Sequence, residues 1–318
     1  MKKRLGWLFG IWFLPVVAAQ AINITVSIPP LAGMIAPLLD EEDQMQLLLT
    51  PGASPHGFQL KPSHMQSLHN SDLVVTVGTP VDAWAQKIKV PVERKLNMAE
   101  LEGIETLPFR AGGIWQKGTH VHSEEDGHVH HAEAERDRKK MPSYDGHIWM
   151  SVDNARLLIA EAARKLQRLK PGSADDIQRR ADEWLAKIAL RDEQIKQSLQ
   201  PYREVPFLVL HDAFHYFEHR YGLNGVGSIR LNPEIAPSLK RILELRKRVQ
   251  NGQVQCIFKE PQFPEKRISA VTRGLDVGTE TLDPMGITYA PDGKAFSGYD
   301  RFIGELARHM QNCFEQKK

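Results

Sequence analysis

The sequence predicts an α/β protein with two lobes, each built on a mainly parallel sheet flanked by helices. Three observations carry that expectation. Short apolar runs alternate with helical patterns between Ile24 and Val77, and the same alternation restarts after Pro201. Between the two stretches lies one long amphipathic pattern over residues 173–199. Strands separated by helices need crossover connections, and crossovers make neighbouring strands parallel. A chain of 318 residues is long enough for two such units.

The elements follow in order. A strand over 24–28 is closed by Pro29-Pro30, and a helix follows over 31–39. A second strand over 45–49 ends at Pro51-Gly52. Pro62 opens a short helix over 62–68, at a position where a missing N–H costs nothing. A third strand over 73–77 stops at Gly78. Residues 152–169 repeat apolar side chains at helical spacing: Leu157, Leu158, Ala162, Leu166 and Leu169. Pro171-Gly172 interrupts that helix, and Ser173 caps the long one, whose stripe is Trp184, Leu185, Ile188, Ile195 and Leu199. At about 1.5 Å per residue the long helix spans roughly 40 Å, enough to run beside both lobes. Beyond Pro201, strands over 207–210, 254–258 and 278–282 alternate with helices over 233–249 and 264–273. A helix over 299–314 closes the chain. The expected organisation is a first lobe over 22–172, a linking helix over 173–200 and a second lobe over 201–318. No internal repeat is visible.

The first 21 residues read as a secretory signal peptide. Lys2, Lys3 and Arg4 precede an apolar run to Val17, and Ala19-Gln20-Ala21 fits a small-x-small cleavage site. The run is shorter than the ~20 apolar residues of a spanning helix. Cleavage would remove three basic residues and no acidic one, moving the net charge from +2 to −1. Such a balance argues against a nucleic-acid partner. No Cys adjoins the cleavage site to take a lipid anchor, so a free protein outside the cytoplasm is expected. With only 2 Cys, a disulfide-dense scaffold and a Cys-rich zinc ribbon are excluded. In an oxidising compartment Cys256, in a strand, and Cys313, in the closing helix, would form one disulfide.

Histidine is the unusual residue, with 13 in the chain. His120, His122, His128, His130 and His131 fall within residues 116–143, among Glu124, Glu125, Asp126, Glu133, Glu135 and Asp137. So little apolar content cannot bury enough surface to fold alone, and a mobile loop inserted in the first lobe is expected. Its two His-x-His pairs suit weak capture of borderline cations; the alternative is a solvated linker. Three further histidines stand out by place. His56 lies past the strand over 45–49, His147 just before the helix over 152–169, and His211 directly after the strand over 207–210. Asp283 similarly follows the strand over 278–282. Open α/β sheets bind ligands beyond the carboxyl ends of their strands. Without free thiols, a tetrahedral zinc site would draw on imidazoles and carboxylates. Each of these histidines singly also suits a hydrogen-bonded structural role. The series His211, His215, His219 lacks the Glu that a His-Glu-x-x-His metalloprotease needs after its first His. His215 and His219 are read as helix residues, and His64, His69 and His309 as surface residues.

Five segments carry a family resemblance over essentially the whole chain after residue 21. They are Pro51-Gly52-Ala53-Ser54-Pro55-His56-Gly57-Phe58, Asp145-Gly146-His147-Ile148-Trp149-Met150, His211-Asp212-Ala213-Phe214-His215-Tyr216-Phe217, Lys259-Glu260-Pro261-Gln262-Phe263 and Leu282-Asp283-Pro284-Met285-Gly286. With the His-rich insert, they resemble the zinc-binding, ZnuA-type class of metal-binding solute-binding proteins of bacterial ABC importers. The resemblance implies two lobes joined by one long rigid helix, with metal held in the cleft between them. It implies His56 and His147 as ligands from the first lobe and His211 from the second, with Asp283 or water in the fourth position. Some zinc members place Glu before the first His, where this chain has Pro55. Manganese relatives replace the third His with Glu, so His211 points to Zn²⁺. The Cys256–Cys313 disulfide also matches the family. The implied function is that of a periplasmic zinc carrier without catalysis, delivering Zn²⁺ to an inner-membrane permease. A second periplasmic zinc carrier is a further candidate partner, and a monomer is expected. One rival is a secreted zinc hydrolase, with Asp283 or Glu260 as base, but no nucleophile or oxyanion motif accompanies them. The other is a surface metal-binding adhesin of the same fold, against which the missing anchor Cys counts.

Overall fold

The computed structural model describes residues 21–49, 52–110, 113–115, 144–230, 233–289 and 298–316. The leader over 1–20 and the segment 116–143, with His120, His122, His128, His130 and His131, lie outside the described residues.

In the first lobe, β1 (Asn23–Val26), α1 (Pro29–Ile35), β2 (Gln44–Leu47), α2 (Pro62–Asn70), β3 (Leu73–Thr76) and β4 (Lys95–Asn97) follow one another. Their strands form a parallel sheet in the order β2-β1-β3-β4. Two helices lead out of it, α3 (Val152–Leu169) and the long α4 (Ala174–Leu199). The second lobe contains β5 (Phe207–Val209), α5 (His215–Tyr221), β6 (Gly225–Ser228), α6 (Leu239–Gln250), β7 (Cys256–Lys259), α7 (Lys266–Thr272) and β8 (Gly278–Thr281). Helix α8 (Tyr299–Glu315) closes it. This sheet is also parallel, in the order β6-β5-β7-β8. The two lobes therefore repeat one topology, although no repeat is visible in the residues.

The expected two-lobe α/β class is the one observed, with differences in detail. Helix α6 begins at Leu239 rather than 233. Pro237 disfavours a helical conformation at the residue before it, and Ser238 then caps the helix by accepting from the Arg241 N–H at 3.3 Å. The sequence reading omitted β4, which has three residues, and β6, which is Gly-Val-Gly-Ser with little strand propensity. Gly227 in β6 serves packing: a Cβ there would lie 2.4 Å from the Ile114 side chain. His64, expected on the surface, is buried; it stacks on Phe58, and its Nδ1 accepts from the Lys61 N–H at 3.0 Å.

One hydrophobic cluster runs through both lobes. It includes Val26 and Val75 of the first sheet, Trp149 and Trp184 in the middle, and Phe207, Phe258 and Phe314 of the second lobe. Trp184 seats α4 on the first lobe by donating its indole N–H to the Met34 carbonyl at 3.1 Å. Cys256 and Cys313 are disulfide-bonded, fastening α8 to β7. Among the described residues no helix is long and apolar enough to cross a membrane.

Candidate metal centre

Three turns bring His56, His147 and His211 together. His56 sits in the single 3-10 turn Pro55–Gly57. Ser54 accepts the His56 N–H at 3.3 Å, and Trp84 donates to the Pro55 carbonyl at 3.1 Å, so the turn is held from both sides. His147 precedes the turn Ile148–Met150 that leads into α3. Gly146 beside it permits a close approach: a Cβ there would lie 2.9 Å from Thr79 Oγ1. Thr79 in turn donates to the Gly146 carbonyl at 3.0 Å. His211 leaves the carboxyl end of β5, and Glu260 leaves that of the neighbouring β7. From β5 the chain moves outward to β6, and from β7 it moves the other way to β8. That reversal opens a crevice at the strand ends, where doubly wound sheets bind ligands.

The three imidazoles form a near-equilateral triangle. Their ring centroids are 5.4 Å (His56–His147), 5.4 Å (His56–His211) and 5.3 Å (His147–His211) apart. One ligating atom from each lies within 4.8 Å of the other two. All three Nε2 atoms are buried and make no hydrogen bond. They line a cavity of about 10 Å³, shared with Ser54, Glu260, Gln262 and Met285.

Matching contacts behind two of the rings set their tautomers. His147 Nδ1 lies 2.6 Å from Asp145 Oδ1, and His211 Nδ1 lies 2.6 Å from Glu260 Oε1. The same two oxygens accept the backbone N–H groups of His147 (3.1 Å) and His211 (3.2 Å). A carboxylate can only accept, so Nδ1 carries the proton and Nε2 keeps its lone pair for the cavity. Carboxylate-backed histidines of this kind are what metal sites use to orient and strengthen imidazole ligands. Burial pushes the Asp145 carboxyl up, but the His147 imidazole beside it wins and holds it below its usual range. Burial pulls the His211 imidazole down, but the Glu260 carboxylate outweighs this and raises it. Burial, reinforced by His211 and His147, lowers His56 to about 2, so this ring is neutral at physiological pH.

Asp283 does not join the trio. Its carboxylate is fully buried and accepts four hydrogen bonds, from Gln262 Nε2, the Met285 N–H, the Thr288 N–H and Thr288 Oγ1. His215 opens α5 with its Nδ1 3.8 Å from Asp145 Oδ2, and His219 and His69 are exposed. Sequence reasoning did not assign Asp145 and Glu260 their places behind the imidazoles. The Asp-x-His spacing at 145–147 was a usable signal; Glu260 is 49 residues from His211, and only the pairing of β5 with β7 brings them together.

A family model described as the periplasmic component A of the zinc-uptake complex matches residues 24–313. The chain belongs to the ZnuA family. Membership makes it a zinc-uptake component rather than an enzyme. Relatives named high-affinity zinc uptake system protein ZnuA include one from Haemophilus ducreyi, 30% identical over 305 residues, covering 95% of this chain and 96% of the relative. Another, from Yersinia pestis, is 29% identical over 307 residues, covering 95% and 93%. Among solved structures, a ZnuA crystal structure superposes with a TM-score of 0.71 at 22% identity, covering 93% of this chain and 100% of the other. The periplasmic zinc-binding protein TroA of Treponema pallidum gives 0.71 at 18% identity, covering 93% and 99%. These structural likenesses confirm the two-lobed fold of the ZnuA family for this chain.

Proposed function

We propose that this protein captures Zn²⁺ between its lobes with His56, His147 and His211 and hands it to the membrane permease of an ABC importer. One observation carries the reading: three buried Nε2 lone pairs without protein partners line one small cavity. Imidazole-rich sets favour zinc over harder cations. The names of the ZnuA relatives support the same cargo. The cavity is lined by turns from both lobes, so loading alters a surface that a permease can read. Residues 1–21 act as a cleaved signal peptide that takes the chain to the periplasm. His120, His122, His128, His130 and His131 act as a weak, exchangeable zinc reservoir. The small cavity suits capture better than hydrolysis, which needs room for a substrate beside the metal.

The test is a zinc titration of the mature chain against a competing chelator. Replacing His147 with Ala removes one of three imidazoles and is expected to weaken the tight site at least a hundredfold. Wild-type affinity in that variant would sink the assignment.

A further inference from the structure

We infer that the side-chain oxygen of Gln262 is the fourth donor to the metal, and that Asp283 serves by holding that amide in place. The inference rests on the three-histidine reading above and deepens it.

The hydrogen bonds of Asp283 come first. Its Oδ1 accepts from Gln262 Nε2 at 2.6 Å and from the Met285 N–H at 3.0 Å. Its Oδ2 accepts from the Thr288 N–H at 2.8 Å and from Thr288 Oγ1 at 2.9 Å. To reach a metal, this carboxylate would have to abandon bonds that organise the 283–288 turn. In place it does something else. A carboxylate accepts and an amide NH₂ donates, so the contact dictates which end of the Gln262 amide faces Asp283. The amide oxygen is thereby turned away from it.

That oxygen is buried and has no hydrogen-bond donor. Gln262 lines the same cavity as His56, His147 and His211. Leaving a carbonyl oxygen unpaired away from water is costly, and folded chains avoid it unless something else satisfies the atom. Gln262, with its unpaired Oε1, lines the same cavity as three histidines whose Nε2 atoms are also unpaired. The cavity, about 10 Å³, has room for one small sphere. An ion there leaves no separate space for a water. Three nitrogens and one oxygen make the four-coordinate set that Zn²⁺ prefers.

The arrangement also has a chemical consequence. A neutral amide is a weaker donor than a carboxylate, and the negative charge of the site then stands one bond further out, on Asp145 and Glu260. Such a centre still favours zinc through its imidazoles but holds it less firmly than a centre with a directly bound carboxylate. For a carrier that must release its cargo, that difference matters.

The experiment compares the mature wild-type chain with Gln262→Leu, Asp283→Ala and the double variant. Zinc affinity is read by chelator competition, and the coordination sphere by the visible absorption of the Co²⁺-loaded forms. Gln262→Leu is expected to keep one tight site, to weaken zinc at least tenfold and to shift the Co²⁺ bands. Asp283→Ala should weaken zinc alone but cost less than twofold more once Gln262 is gone, because it acts through that residue. Wild-type affinity and an unchanged Co²⁺ spectrum in Gln262→Leu would overturn the inference. So would a full additional loss from Asp283→Ala in the double variant, which would make Asp283 itself the ligand. If Asp283→Ala fails to fold, Gln262→Leu decides the matter alone. Wild-type binding by His147→Ala is a separate result: it removes the three-histidine site, whereas a silent Gln262→Leu removes only the fourth donor.

Discussion

Glu260 carries the clearest test of how the centre is tuned. It is 3% exposed, and its Oε1 receives both the His211 ring N–H (2.6 Å) and the His211 backbone N–H (3.2 Å). Its Oε2 is buried without a hydrogen bond. Glu260→Gln keeps the shape and one acceptor oxygen but removes the charge and puts an NH₂ where Oε2 stood. Loss of a partner behind a metal-bound imidazole typically costs 10–100-fold in affinity, or about 1.4–2.7 kcal/mol. A buried NH₂ without an acceptor adds about 1–3 kcal/mol of instability to the metal-free chain. The effect on affinity has a predicted pH dependence. The Glu260 carboxylate raises the His211 imidazole, so in the wild type a proton competes with zinc for this ring as pH falls. Glu260→Gln lowers that proton affinity as well as the affinity for zinc. The deficit should therefore be largest above the raised His211 value and should shrink as pH falls below it. Chelator-competition titrations at several pH values, with thermal unfolding of the metal-free variant as a control, read both effects. Zinc affinity within threefold of wild type at every pH tested would refute the idea that Glu260 tunes this imidazole.

Two further outcomes follow from the rest of the chain. The Cys256–Cys313 bond closes a loop with a sequence separation of 57, so its removal by Cys313→Ser should lower unfolding free energy by about 4 kcal/mol in urea titrations while zinc stoichiometry stays the same; an unchanged midpoint would show that the cross-link contributes nothing. Deleting residues 116–143 should lower the total zinc bound per chain by equilibrium dialysis and leave the tight affinity intact, and equal stoichiometry would end the reservoir role of the His-rich segment.

What the sequence made legible was whatever is periodic. The apolar spacing of α3 locates it over 152–169, which is where the structure has it. Ser173 stands at the N-cap of α4 as expected, but it ends a short 3-10 turn and its side chain makes no capping hydrogen bond. Elements whose reason lies elsewhere in the fold were hidden. Strand β6 is a strand because it pairs with β5, and its Gly227 is small because Ile114 packs there, more than a hundred residues away in the chain. The same division holds at the metal centre. The positions of His56 and His211 after strands were readable, because strand ends are readable. That their rings and that of His147 meet within 5.4 Å follows only from how the two sheets face each other. Asp283 was readable as an acidic residue after a strand, but nothing local shows that four donors already occupy it.

The same geometry bears on how metal enters and leaves. After Pro108 the first-lobe chain crosses to the second lobe. Arg110 donates from Nε to both oxygens of Asp212 at 3.1 Å, pairs with the buried Glu218, and stacks at 3.5 Å over Trp115. Ile114 is 2% exposed within the core of the second lobe. Tyr216, also in the second lobe, donates to the Asp145 carbonyl at 2.7 Å and accepts the Leu107 N–H at 3.0 Å. Trp149, two residues from His147, donates to the Pro284 carbonyl at 3.1 Å. Swinging the lobes apart would break these ties together. Hydrogen bonds to charged groups alone are worth about 1.5–3 kcal/mol each, and the shared hydrophobic core would be exposed as well. The turn that carries His56 is held more lightly, by Ser54 and the indole of Trp84, and makes neither a carboxylate–imidazole pair nor an ion pair among the described residues. Burial keeps its imidazole neutral, so no proton has to leave it before metal binds. Local movement of residues 54–57 therefore costs less than opening the cleft, and in the proposed three-histidine site His56 is the side chain best placed to part from the metal first.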